Sequence, residues 1–139
     1  MSEENRVRLR IISRMTEPGG DVNEIKSARR GTLSRTPDGL EIVYDEEQDG
    51  EKARITLGVK GGHARMLRRG LTSAELRFIP GERTSSAYVT MYGEIPVMID
   101  TRQVLVMEEE NGGDLLLGYD VYVGGEKTAR TELRVTWRL

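Results

Sequence analysis

The sequence contains no cysteine, which excludes a disulfide framework, a thiolate nucleophile and any cysteine-based zinc site. It contains a single histidine, His63. A serine-histidine-aspartate triad would have to use that residue, yet no G-x-S-x-G elbow accompanies it. His63 follows Gly61-Gly62, so the simpler reading is a turn residue. No apolar run approaches the roughly 18 residues of a membrane-spanning helix, and residues 1–10 hold no apolar h-region. Together with the missing cysteines this leads to the expectation of a reducing, cytoplasmic setting. Aromatic residues are scarce as well, and five of the seven are tyrosine. No segment carries a helical apolar stripe three turns long.

Charge is abundant but balanced. With 32% charged residues and a net charge of −2, the molecule as a whole is not marked as a nucleic-acid or membrane binder. Of its 21 basic residues, 17 are arginine. At 139 residues the chain suits one domain able to bury about two-thirds of its unfolded surface. No linker, composition shift or internal repeat divides it, so residues 1–139 are expected to be a single domain, with 1–5 a disordered N-terminus.

Alternation at period two is the dominant pattern. In residues 6–16, Val7, Leu9 and Ile11 point one way, while Arg6, Arg8, Arg10 and Arg14 point the other. Residues 22–36 are polar and poorly patterned, with Gly31 as a bulge or bend. Alternation returns at Leu40, Ile42 and Tyr44, and again at Ala53, Ile55, Leu57 and Val59. Residues 64–69 form a short extended piece. Thr72-Ser73-Ala74-Glu75 has the form of a capping box, but Pro80 leaves under two turns for a helix, so this stretch reads as a strand. Ile79-Pro80-Gly81-Glu82 has the residues of a type II turn. Tyr88, Thr90 and Tyr92 then alternate, as do Ile95, Val97 and Ile99; a two-residue turn at Gly93-Glu94 would join them, with a bulge at Gly93 as the competing reading. Residues 103–109 alternate weakly. Leu115, Leu117, Tyr119, Val121 and Val123 alternate strongly, and so do Thr131, Leu133, Val135, Trp137 and Leu139.

About ten or eleven extended segments joined by short Gly, Pro, Asn and Asp turns mean a sandwich or a barrel. A Greek-key sandwich needs a long crossing loop, and none is visible. The expected fold is an all-β, antiparallel up-and-down meander β-barrel of about eight to ten strands.

Several short motifs occur in order along the chain. They are Tyr44-Asp45-Glu46-Glu47, Arg68 with Gly70, Phe78-Ile79-Pro80-Gly81, Tyr88 with Thr90 and Tyr92-Gly93, Thr101, and Tyr119-Asp120 followed by Val123-Gly124. In these residues the sequence resembles the YwiB-like family of bacterial domains of unknown function. The resemblance spans about 7–137, is thinnest over 17–31, and implies a calycin-like (lipocalin-like) barrel without assigning any catalytic residue.

Chemistry is sparse. Asp45-Glu46-Glu47-Gln48-Asp49-Gly50 imitates the start of a calcium loop, but Thr56 stands where the bidentate glutamate belongs and no helix flanks it. A solvated hairpin fits better. Gly58, Gly61 and Gly62 lack the G-x-G-x-x-G spacing of a phosphate cradle. No metal, cofactor or catalytic residue is expected, and an enzymatic role is not favoured. A barrel of this size can enclose one small ligand. The candidate lining is Tyr44, Arg68, Tyr88, Thr90, Tyr92 and Tyr119, with Arg68 as counter-ion to a small amphipathic or anionic ligand; equally, the tyrosines could fill a solid core and bond to the backbone. The alternative is an interaction module. If the first and last strands pair, Arg6, Arg8, Arg10 and Arg14 lie beside Arg130, Arg134 and Arg138 on the outer wall. That stripe, interrupted by Glu132, could serve RNA, a ribonucleoprotein or an acidic protein. The arginines could equally serve only to keep the strands soluble and in register.

Overall fold

The computed structural model describes residues 3–48 and 50–139, none of them helical. The strands are β1 (Glu3–Thr16), β2 (Val22–Thr36), β3 (Gly39–Gln48), β4 (Glu51–Lys60), β5 (His63–Arg69), β6 (Ser73–Phe78), β7 (Arg83–Thr90), β8 (Gly93–Glu109), β9 (Gly112–Val123) and β10 (Glu126–Arg138). Each pairs antiparallel with its predecessor, and β1 pairs with β10, closing a ten-stranded meander barrel. Short turns leave no other topology, because a two-residue connection forces adjacent, opposed strands. Gly61-Gly62 and Gly124-Gly125 are the clearest cases. Their φ values of 58° and 82°, and of 61° and 82°, are those of the hairpin turn that suits the strand twist and that side chains resist.

Alternation then places the core. Ala53, Ile55, Leu57 and Val59 of β4 are buried, as are Thr131, Leu133, Val135 and Trp137 of β10. Toward the end of the barrel that carries the chain termini a layer of apolar side chains closes the interior, with Phe78, Ile42, Ile99, Leu115, Leu117, Val135 and Trp137 sealed from solvent. Trp137 fits only because Gly113 faces it: a Cβ there would lie 2.3 Å from the indole Cζ2. Strand β9 is buried on both faces. Its outer Asp120 is gripped by Arg102, by Lys127 at 3.3 Å and by Arg130 at 3.4 Å, Arg102 being turned onto it by a bulge between Thr101 and Gln103.

Two seams are weaker than the rest. Strands β6 and β7 share only the pairs Ser73 with Val89 and Ala74 with Tyr88. Beyond these, the Thr84 hydroxyl donates to the Arg77 carbonyl at 2.7 Å and the Ser86 hydroxyl donates to the Glu75 carbonyl. Strand β2 pairs with β3 only from Gly31 to Thr36, so its first nine residues are held by β1 alone. The barrel is thus two arcs, β3 to β6 and β7 through β10 to β1 and β2, sealed along short edges.

Two expectations are corrected. Residues 3–5 are the start of β1, with Glu4 opposite Ser34 and Asn5 opposite Leu33; backbone pairing orders a polar segment that composition alone marks as loose. Residues 1 and 2 lie outside the described residues. Strands β7 and β8 do form a hairpin, but it turns at Met91-Tyr92, with Thr90 opposite Gly93 and Tyr88 opposite Ile95. The cause is local. The Thr90 hydroxyl accepts from the Tyr92 amide at 3.1 Å and donates to the Gly93 carbonyl at 2.9 Å, a side-chain turn that fixes the reversal before Gly93. The Pro80-Gly81 turn is as expected, closed by the Glu82 amide on the Ile79 carbonyl at 3.0 Å.

Candidate functional site

In a meander, alternate connections share one end. Those at 17–21, 70–72, 91–92 and 124–125 surround the mouth opposite the sealed end. Just inside it the ladder brings inward-facing polar residues together. Tyr44 lies opposite Ile55 and Gly31, Arg68 opposite Ile55 and Ala74, Tyr88 opposite Ala74, and Tyr119 opposite Thr101 and Thr131. Residues directly opposed on neighbouring strands share a face. By the same rule Arg29, opposite Leu9, and Glu46, opposite Ala53, point inward too. Gly31 makes the corner possible, since a Cβ would come within 2.5 Å of the Val43 carbonyl oxygen and 3.2 Å of the Tyr44 Cβ.

Electrostatics tie these groups into one cluster. The half-buried Arg68 guanidinium donates to Glu46 Oε2 at 3.1 Å. Burial, then the Glu46 carboxylate, pushes the Tyr44 phenol up to about 12, with Arg68 and Arg29 pulling the other way. The Tyr119 phenol is raised by burial and then by Tyr88 and Tyr44, and Tyr88 is raised by burial against the pull of Arg68. Tyr119 also packs against Phe78, ring centroids 4.7 Å apart and tilted by 52°. All three phenols are therefore neutral donors at pH 7. Among the described residues, no side-chain hydrogen bond sets their titration, and none is a sealed orphan, those being Thr101 Oγ1 and Trp137 Nε1. Beside them is a pocket of about 300 Å³ lined by Met66, Arg68, Thr72, Ala74, Leu76 and Tyr88. With two guanidinium groups, one carboxylate and three neutral phenols, the cluster carries one uncompensated positive charge.

The sequence reading placed Tyr44, Arg68, Tyr88 and Tyr119 together, and they are together. Thr90 and Tyr92 are not with them. Thr90 is used in the turn, and Tyr92, on that turn, is 92% exposed. Arg29 and Glu46 were missed. Arg29 stands in the unpatterned stretch of β2, where no alternation declares a face, and Glu46 was absorbed into an acidic run that read as solvent-facing.

The arginine stripe is also built, in altered form. Arg8 lies opposite both Arg138 and Arg30, giving a row of three guanidinium groups across β2, β1 and β10, with Arg6 and Arg10 on either side. The remaining members are compensated. Arg134 pairs with Asp114 at 3.3 Å and Arg130 with Asp120 at 3.4 Å, while Arg14 lies opposite Glu132 and Glu24. Arg30 is the member the sequence did not reveal. His63 is exposed at the start of β5.

A model of the domain of unknown function DUF1934 matches residues 9–135. The chain belongs to the DUF1934 family. A curated relative, the uncharacterized beta-barrel protein YwiB of Bacillus subtilis (strain 168), is 24% identical over 137 residues, covering 99% of this chain and 96% of YwiB. The crystal structure of the ywiB protein from Bacillus subtilis superposes with a TM-score of 0.87 at 22% identity, over 97% of this chain and 92% of that one. The DUF1934 fold is therefore the closed barrel described above, and the likeness to that structure carries the fold alone.

Proposed function

We propose that this barrel is a non-enzymatic binding protein of the cytoplasm that holds a small amphipathic anion at its mouth, the anionic group meeting Arg68, Arg29 and the phenols of Tyr44, Tyr88 and Tyr119. One observation carries the reading: Arg68 and the neutral phenol of Tyr88 line a largely apolar pocket, and the phenols of Tyr44 and Tyr119 and the Arg29 guanidinium belong to the same cluster. Buried polar groups are normally satisfied, so donors left open at a pocket are an acceptor site. Met66, Ala74 and Leu76 supply the apolar wall. The test is calorimetric titration with octanoate, octanol and octylammonium. Octanoate should bind, the other two should bind far more weakly, and Arg68→Met should weaken octanoate by about tenfold to a hundredfold, the loss of a charge-assisted hydrogen bond. No heat with octanoate, or equal binding by the variant, removes the reading.

A second reading rests on the outer row of Arg30, Arg8 and Arg138, which forms no ion pair among the described residues and can track the phosphates of an RNA. The variant Arg8→Ser, Arg30→Ser, Arg138→Ser should then abolish a polynucleotide affinity that falls steeply between about 50 and 200 mM salt, while leaving octanoate binding intact. Salt-insensitive polynucleotide binding, or none by the wild type, discards it.

A further inference from the structure

Resting on the interior reading above, we infer that the ligand is a long-chain monocarboxylate whose tail leaves the barrel and lies along an apolar groove on the rim. The inner pocket of about 300 Å³ has the volume of roughly ten waters, which accommodates a head and a few methylenes. It leads no deeper, because Phe78, Ile99 and Leu117 seal the core below. Thr72 lines this pocket and also an outer one of about 380 Å³ formed by Leu71, Met91, Tyr92 and Ile95 with Glu51 and Glu94. The two pockets are neighbours that share that residue as a wall. The apolar members of the outer groove are strongly exposed, Leu71 by 57%, Met91 by 74%, Tyr92 by 92% and Ile95 by 44%, and Met91 and Tyr92 occupy a turn where polar residues are the norm. Exposed apolar side chains gathered at the lip of a pocket mark a binding surface. Charge selects the class. The inner cluster has one positive charge to satisfy, and Glu51 and Glu94 on the groove repel polyanions, so a singly charged head with an uncharged tail fits both parts.

The experiment is calorimetry with octanoate, decanoate, dodecanoate and tetradecanoate at micromolar concentrations, on the wild type and on Leu71→Ser, Met91→Ser, Tyr92→Ser. Affinity should tighten by roughly two- to fourfold per added methylene up to tetradecanoate, as burial of methylene groups requires. The rim variant, whose substitutions are all exposed, should keep its melting temperature and its octanoate affinity while losing that dependence on length. Octanoate binding with no gain for longer acids overturns this inference alone. Length dependence unchanged in the rim variant overturns it too. Failure of every acid to bind removes the interior reading and this one with it.

Discussion

Tyr44 gives the sharpest test of the buried cluster, because its environment makes a prediction with a sign, a size and a pH. Its phenol titrates near 12 in the folded protein instead of 10.0, chiefly because burial disfavours the phenolate and secondarily because Glu46 lies close. A proton held more firmly by the folded than the unfolded chain stabilises the fold. That contribution is complete below the unfolded value and disappears as pH rises through the folded one. Each pH unit between the two values corresponds to about 1.4 kcal/mol, so the whole effect is on the order of 3 kcal/mol. About half of it is gone by pH 11.

The perturbation is Tyr44→Phe, which keeps the ring and deletes the titrating hydroxyl. Urea unfolding of both proteins at intervals from pH 8.5 to 11.5 removes effects common to the two, such as lysine deprotonation. The stability of wild type relative to variant should be flat to about pH 9.5 and then fall, by on the order of 1 kcal/mol at pH 11. Near pH 8.5 the variant should be as stable as wild type or slightly more so, since the lost hydroxyl has no side-chain partner to abandon. A difference that stays constant over the whole range refutes the buried, neutral phenol, and with it the picture of three donors waiting on an anion. Octanoate binding should follow the same course and weaken where a phenolate begins to replace a donor.

Two further predictions concern the wall. Gly113→Ala should destabilise by about 1–3 kcal/mol, because the added methyl meets the indole of Trp137 and the Met107 carbonyl at 2.3 and 2.6 Å; Gly58→Ala, with nothing within 4 Å, is the control that should be neutral or better, and equal outcomes at the two sites would refute the packing argument. Thr84→Ala and Ser86→Ala should each cost about 1 kcal/mol and speed amide exchange in β6 above that in β4, since these hydroxyls stand in for a missing ladder; uniform exchange along both strands would contradict the seam.

Most of the fold was legible because alternation and turn chemistry both report on backbone geometry, and here they agree. Val7, Leu9 and Ile11 declared a face, Gly61-Gly62 declared a reversal, and closure followed from the shortness of the connections. What escaped depends on tertiary pairing. The β7 to β8 turn was misplaced because Gly93 is a strong local signal and the Thr90 side-chain turn that overrides it is a weak one. Four of the six residues of the cluster were legible for the same reason. Tyr44, Tyr88 and Tyr119 sit at inward phase on well-patterned strands, whereas Arg29 takes its direction only from Leu9 across the ladder, and nothing within 22–30 records it.

The β2–β3 seam is open at the end that holds the cluster. At the sealed end, β2 and β3 are laced together from Gly31 to Thr36, beside a layer of fully buried apolar side chains. Toward the mouth that lacing stops, and the two arcs separate between Arg30 and Asp45. Each arc then contributes part of one polar cluster: Tyr44, Glu46 and Arg68 from β3 and β5, and Arg29, Tyr88 and Tyr119 from β2, β7 and β9. Like-charged Arg29 and Arg68 share this cluster with one carboxylate, Glu46, where the β2–β3 ladder has ended and the arcs are joined by the β6–β7 pairs Ser73 with Val89 and Ala74 with Tyr88. That arrangement holds more positive than negative charge. The anion proposed above would supply the missing charge and a cross-strand link together, and its binding would then favour closure of the β2–β3 seam by linkage.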